Sequence, residues 1–191
     1  MAAPVADLPI QLTVRRYTTA DVDALPSDGN RYELVAGVLI VNPPPGVPHE
    51  VAVWRVLTPI AIALGPHGIA NVVGRSEIRR DPDTRLEPDL LVFPAGKALP
   101  ERWTDIRDWW VAVEVYSPSS RYYDRDTKRA AYLALGVPEV WLVDPQHGEL
   151  TVWTRGAAEP LVYRAGDTMR WMRPEFPAPV EIIVTELFRG M

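Results

Sequence analysis

Two long segments of the chain carry apolar residues at the spacing of a helix. Between residues 49 and 64 an apolar side chain recurs every three or four positions, at Val53, Val56, Leu57, Ile60 and Leu64. This period predicts an amphipathic helix. Residues 122–135 also predict a helix, which Gly136 and Pro138 would end. A shorter helix is predicted at residues 18–25, with a Thr or Asp as its cap.

Short apolar runs bounded by Gly, Pro and Asp predict the strands. They lie at residues 70–79, 86–94, 109–116 and 139–145, with further strand-like pieces between 148 and 185. Two more runs flank Ala36-Gly37 and indicate a β-hairpin. Helices and strands in this order predict an α/β fold with β-rich extensions at both ends.

Composition limits the setting of this fold. With 191 residues, 47% of them hydrophobic, the sequence predicts one globular domain with a substantial core. The absence of cysteine excludes disulfides, thiolate metal sites and a cysteine nucleophile. The N-terminus has no basic region followed by an apolar stretch, and the longest apolar segment is short of a membrane span. We therefore expect a cytoplasmic protein with no membrane partner.

Three acidic residues stand inside or at the ends of apolar strands. Glu114 interrupts VAVEVYSPSS, Asp89 precedes LLVF, and Glu33 lies in YELVAGVLIV. A single buried acid is usually explained by an arginine partner or by a backbone cap. Carboxylates that converge from separate strands form instead a site for Mg²⁺ or Mn²⁺, which favour oxygen ligands. A divalent ion would also offset the cost of burying Glu114.

The predicted helix at 122–135 carries a second clue. Asp124, Lys128, Ala131 and Leu135 fall on one face, and the two apolar residues mark it as the inner face. Lys128 would then point toward the sheet. The alternatives are an Asp124–Lys128 pair on the surface, worth a few tenths of a kcal/mol, or a helix cap by Asp124.

A histidine and two arginines near the predicted strands and helices are candidates for phosphate binding. His49 begins a predicted helix, where free backbone N–H groups favour phosphate, although a histidine at a helix start is often only solvated. Arg75 and Arg125 flank the candidate strands and helix and could contact phosphates, or belong to a charged surface. The net charge of −5 argues against general nucleic-acid binding but leaves room for a local basic cleft.

Four motifs follow one another in an order that resembles a known protein family. EPD, VAVEVYSPSS, YYDRDTK and YLALGVPEVWLVDP follow one another as in the Uma family of restriction endonuclease-like proteins, a branch of the PD-(D/E)XK nuclease superfamily. RYELVAGVLIVNPPPGVPH and VTELF are similar to further parts of that family, so the resemblance covers about residues 17–188. It implies a restriction-endonuclease-like core, in which helices flank a central mixed β-sheet.

The resemblance also implies roles for single residues. Asp89 matches the PD aspartate and Glu114 the second metal ligand, while Tyr116 stands where the superfamily has its usual lysine. In the Uma branch that lysine lies in the following helix, at Lys128. Further matches are Glu33 as an additional ligand, His49, and Asp124 in the substrate site.

We therefore expect a metal-dependent endonuclease that hydrolyses phosphodiester bonds, with DNA as substrate and Mg²⁺ or Mn²⁺ as cofactor. The superfamily implies a homodimer, for which the segment 148–185 with Trp153, Tyr163 and Trp171 offers a partner surface. Two alternatives stay open. One is an inactive nuclease-fold module that binds DNA or protein, and the other is a phosphodiesterase acting on RNA or a small nucleotide.

Overall fold

The computed structural model describes residues 15–96, 98–117 and 123–191. Four α-helices lie in these ranges: α1 (Thr19–Asp23), α2 (Val47–Leu64), α3 (Arg129–Leu135) and α4 (Val184–Leu187). A π-helical segment, Tyr123–Lys128, leads directly into α3. The three helices expected from the sequence are present, and Thr18 caps α1 through a reciprocal contact with Asp21. The first residue of the helix predicted at 122–135 lies outside the described residues.

A six-stranded mixed sheet forms the centre of the fold. Its strands are β3 (Ala70–Gly74), β6 (Leu90–Pro94), β7 (Val111–Val115), β8 (Glu139–Asp144), β9 (Glu149–Thr154) and β10 (Leu161–Tyr163), in the order β10-β9-β8-β7-β6-β3. β7 and β8 are parallel and the other neighbours are antiparallel. The parallel pair is connected through the π-helical segment and α3, as a parallel connection requires a crossover.

Two smaller sheets complete the described chain. The first contains β1 (Arg31–Val35), β2 (Val38–Asn42), β4 (Ile78–Arg80) and β5 (Thr84–Leu86), in the order β2-β1-β5-β4. The second pairs β11 (Thr168–Trp171) with β12 (Val180–Ile183). The predicted hairpin is β1-β2, and its turn residues Ala36 and Gly37 both have positive φ, as a tight two-residue turn requires.

The central sheet separates two hydrophobic cores. Val111, Val113 and Val115 of β7 face α2 and the β11-β12 pair. Ala112 faces α3 and the four-stranded sheet, and by the alternation of a strand Glu114 points to this side too. The two long helices therefore lie on opposite faces of the sheet, which confirms the expectation that helices flank it.

Three sequence expectations were wrong in detail. Residues 70–79 and 86–94 were each expected as one strand, but each divides into two strands that belong to different sheets. Arg75, with φ of 50°, breaks the first, and Glu87-Pro88 breaks the second. Trp171, expected on a partner surface, is buried. Its ring packs against three aromatic neighbours, Trp110, Trp141 and Phe176.

Helix α2 is unusually apolar on both sides. With the turn that follows it, Val47–His67 is long and apolar enough to cross a membrane by length and composition alone. Its inner face nevertheless belongs to the core, since Ala52, Val56, Ile60 and Leu64 are fully buried. Its other side exposes large apolar residues, among them Trp54 and Ile62.

This asymmetry of α2 yields a matched pair of substitutions. Ile60→Ala should lower the free energy of unfolding by about 2–5 kcal/mol because it opens a cavity in the core. Ile62→Ala, two residues away with a 70% exposed side chain, should change it by less than about 0.5 kcal/mol when the protein is dilute enough to be monomeric. Urea unfolding followed by circular dichroism measures both. Equal losses would contradict the described packing.

Candidate active site

The pairing of β6 with β7 brings Asp89 and Glu114 to one end of the sheet. Leu90 lies opposite Val113, so Asp89 and Glu114 are the next positions along the two strands. Asp89 Oδ2 accepts a hydrogen bond of 2.8 Å from the Val115 backbone N–H. The expectation that these two carboxylates come from neighbouring strands is confirmed.

Lys128 lies among three carboxylates. Its Nζ is 2.8 Å from Glu33 Oε2, 2.9 Å from Asp124 Oδ1 and 3.0 Å from Glu114 Oε1. All four side chains are at most 3% exposed. The predicted inward orientation of Lys128 is therefore what the structure shows, and the alternative of a surface pair with Asp124 is excluded by burial.

Asp124 and Lys128 come from a segment in which the helix is wound as a π-helix. Asp124 and Lys128 lie in the π-helical segment, a form that is rare and often occurs at functional sites. One turn further, the Tyr132 hydroxyl donates a hydrogen bond of 2.6 Å to Glu114 Oε1. Glu114 is therefore held by a cation and a phenol, both from the helix that faces its strand.

Asp89 has a separate set of partners. Its Oδ1 pairs with Arg31 Nη1 at 2.5 Å, and its Oδ2 lies 3.0 Å from His49 Nε2. Burial acts to raise the pKa of Asp89, but the hydrogen bond and charge of His49 and the charges of Arg31 and Lys128 outweigh it and lower the pKa to about 2. Asp89 therefore favours its ionised form more strongly than an ordinary aspartate does.

Negative charge is in excess in this group of residues. Four buried carboxylates and the two permanent cations that contact them form a group that we call the acidic cluster. Its members are Glu33, Asp89, Glu114, Asp124, Arg31 and Lys128. Burial raises the pKa of Glu114 well above its usual range, against the effect of Lys128, and the other carboxylates raise it further. Burial opposes ionisation of Lys128, yet these carboxylates hold its pKa well above the ordinary value. The raised pKa of Lys128, which goes against the effect of burial, shows that the acidic cluster attracts positive charge.

A cavity of about 200 Å³ opens onto the acidic cluster. Its walls include, of the described residues, Arg31, Asn42, Pro43, Pro44, Pro45, Gly46, His49, Asp89, Glu114, Val115, Ser117, Asp124 and Lys128. In the part of the chain that the structure describes, no three His, Asp or Glu side chains are already arranged around a metal position. The chemistry of the donors nevertheless fits a hard divalent cation, because carboxylate oxygens of Asp89, Glu114 and Asp124 face one cavity with excess negative charge.

Glu33 contacts Lys128 from outside the described walls of the cavity. It is 1% exposed and is not among the described residues that line the cavity. Its Oε1 accepts the Glu87 backbone N–H at 2.8 Å, and its Oε2 accepts from Asn42 at 2.6 Å and from Lys128. Both oxygens of Glu33 are therefore engaged, and one of them holds Lys128 in place.

The three residues expected to bind phosphate lie in different places: His49 at the acidic cavity, Arg75 at a second cavity and Arg125 on the surface. His49, the third residue of α2, turns inward, where its Nε2 lies 3.0 Å from Asp89 Oδ2. Arg75 is exposed and lines a second cavity beside Asp89. Arg125 lies on the surface, where it pairs with Asp126 at 2.9 Å, and it does not belong to the described walls of the acidic cavity.

Three residues of the site were missed at the level of sequence. Arg31 lies two positions before Glu33 on β1, so strand alternation places it on the same face. Tyr132 lies four positions after Lys128, on the face already identified as inner. Asn42 is the register partner of Arg31 across the hairpin. The inward faces of Arg31 and Tyr132 follow from periods already recognised, and Asn42 follows from the hairpin register, but the sequence does not show their contacts.

A mixed sheet has helices on both faces, carboxylates at the ends of two central strands, and a lysine that reaches them from the crossover helix. This is the architecture of a nuclease-like α/β protein. A family model described as "Putative restriction endonuclease", Uma2, matches residues 19–184. The chain therefore belongs to the Uma2 family, which confirms the resemblance noted in its motifs.

Solved structures agree with this assignment. The crystal structure of "a putative nuclease belonging to DUF820" from Anabaena variabilis matches with a TM-score of 0.71, covering 90% of this chain and 97% of that one at 20% identity. At that identity the likeness shows the fold. No curated protein gives a significant match. Family and fold together support a nuclease.

The contacts of Lys128 predict a large effect on stability. Lys128→Met should lower the free energy of unfolding by about 3–5 kcal/mol, because it leaves buried carboxylates without their cation. Arg170→Met is the control, since Arg170 pairs with Glu181 at 2.9 Å on the surface, and exposed pairs contribute less than about 1 kcal/mol. Urea unfolding at neutral pH measures both. A small loss for Lys128→Met would contradict the described ion pairs.

Proposed function

We propose that this protein is a metal-dependent endonuclease that hydrolyses phosphodiester bonds in DNA. The observation that carries the proposal is the acidic cluster, in which carboxylates from two neighbouring strands and a buried lysine share one cavity. Membership of the Uma2 family and the nuclease-like fold support the same reaction class. The buried excess of negative charge favours Mg²⁺ or Mn²⁺ as the cofactor.

Asp89 and Glu114 would hold the cation, with Asp124 as the further carboxylate on the cavity wall. A bound Mg²⁺ supplies a water of lowered pKa and neutralises charge on the phosphate. Lys128 contributes a fixed positive charge beside Glu114, at a point where it stabilises the negative charge that builds up on the phosphorus oxygens. Glu33 and Asn42 keep this ammonium in place, and His49 keeps the Asp89 carboxylate oriented.

Cleavage of supercoiled plasmid with Mg²⁺ or Mn²⁺ tests the proposal. Asp89→Asn and Glu114→Gln should each reduce cleavage by about a hundredfold or more, because ligand loss removes several kcal/mol of transition-state stabilisation. Glu87→Gln is the matched control. Its carboxylate lies in the same EPD motif but pairs with Arg85 at 3.0 Å, so cleavage should be retained.

The same assay contains the outcomes that would contradict the proposal. Equal cleavage by Glu114→Gln and the parent would remove Glu114 from the site. Cleavage of RNA oligonucleotides but not of DNA would identify the substrate as RNA. DNA binding without any cleavage at any metal concentration would identify an inactive nuclease-fold module.

We also propose that the protein works as a homodimer, through the outer face of α2. Val47, Trp54 and Ile62 lie along this face and are 77%, 65% and 70% exposed. Two antiparallel copies of α2 would set Val47 of one against Ile62 of the other, with both Trp54 rings near the two-fold axis. The stripe is thus complementary to itself, as a two-fold interface must be.

The dimer can be tested without any activity. Sedimentation at micromolar concentration should give about twice the chain mass of 21.4 kDa. Trp54→Glu should shift the protein to the monomer, because it places charges at the proposed axis. Trp153→Glu, in the segment first expected to form the interface, should leave the dimer unchanged. A parent that sediments as a monomer would contradict the proposal.

A further inference from the structure

Arg31 lies between the acidic cavity and a second cavity. The second cavity has a volume of about 260 Å³ and is lined, of the described residues, by Arg31, Glu50, Val53, Gly74, Arg75 and Asp89. Arg31 and Asp89 belong to the walls of both cavities. The Arg31 side chain is 18% exposed, so it reaches solvent while it pairs with Asp89.

We propose that this second cavity is a subsite for a backbone phosphate next to the one that is cut, and that a divalent cation at Asp89 opens it by releasing Arg31. The inference rests on the proposed nuclease function and adds to it the path of the substrate strand. Without a cation Arg31 neutralises Asp89, and with a cation at Asp89 the guanidinium turns to the phosphate.

The charges around the second cavity explain this coupling. Arg31 and Arg75 are opposed there by Asp89 and Glu50, so the wall is formally neutral. A divalent cation at Asp89 raises the formal charge of the wall to about +2, which attracts a phosphodiester. The cation and the nucleic-acid strand therefore bind cooperatively, and by linkage each increases the affinity of the protein for the other.

Arg75 has the properties of a residue held ready for a ligand. It is exposed, and no ion pair to it occurs among the described residues. Its backbone has φ of 50°, a left-handed conformation that is uncommon for a residue other than glycine. Such conformations cost free energy and often occur at binding sites. The two planar guanidinium groups in the wall, those of Arg31 and Arg75, suit the oxygens of one phosphate.

DNA binding measured with Ca²⁺ and with EDTA tests the subsite. Fluorescence anisotropy of a labelled oligonucleotide, with intact length checked on a gel, gives the affinity. Arg75→Met and Arg31→Met should each weaken binding in Ca²⁺ several-fold and reduce the slope of log affinity against log salt by about 1. Arg155→Met is the control, because Arg155 is exposed next to Pro138, before the start of β8 and away from Val115.

A second measurement isolates the release of Arg31 from Asp89. In calorimetric titration with Mn²⁺ and no DNA, Arg31→Met should bind the ion more tightly than the parent, and Arg75→Met should bind it as the parent does. Glu50→Gln should strengthen DNA binding in EDTA, since it leaves the second cavity with a net positive wall. This variant and Arg75→Met alter exposed side chains, so they test the subsite even if Arg31→Met does not fold.

The outcomes separate this inference from the nuclease proposal. If the parent cuts plasmid while Arg31→Met and Arg75→Met bind DNA as tightly as the parent, the subsite is wrong and the nuclease stands. If Arg31→Met binds Mn²⁺ no better than the parent, the competition for Asp89 is wrong. If the parent neither binds nor cuts nucleic acid, both proposals fall.

Discussion

The ion pairs of Lys128 hold the described structure of the site together. One ammonium, almost without solvent exposure, lies within 3.0 Å of carboxylates from β1, β7 and the π-helical segment. β1 belongs to the four-stranded sheet and β7 to the central sheet, while the π-helical segment is part of the crossover between β7 and β8. Burying a charge is costly unless an opposite charge lies beside it, so the loss of Lys128 would leave three carboxylates without their shared cation.

The alternation of side chains along β7 and β1 places these groups on the same side of the sheet. On β7 the three valines fill the core under α2, and the residues between them face α3. On β1, Glu33 and Arg31 share one face, so one reaches Lys128 and the other reaches Asp89. A shift of either strand by one residue would turn its acid into the opposite layer. The register of two sheets therefore determines the chemistry of the cavity.

Much of this was accessible from the sequence. The helices at α1 and α2, the hairpin, the apolar strands of the central sheet and the inward face of Lys128 follow from periods of 2 and 3.6 residues. The division of residues 70–79 into β3 and β4 was missed, because an arginine with positive φ gives no local signal for a turn. The partners of Asp89 were also missed, since a contact such as Arg31 with Asp89 joins residues far apart in sequence. Burial of Trp171 likewise depends on aromatic neighbours that only the packing brings together.

The imbalance of charge distinguishes this cluster from an ordinary structural ion pair. A buried pair that serves stability alone gives at most a small net gain over an apolar packing of the same shape, because desolvation consumes most of the attraction. Four buried carboxylates against two permanent cations is more negative charge than such a role needs. The excess lies beside a cavity, and Asp89, the acid with its pKa lowered to about 2, is on its wall. A site in this state gains most from one more positive charge, which the proposed divalent cation would supply while it left Lys128 and Arg31 available to a phosphate.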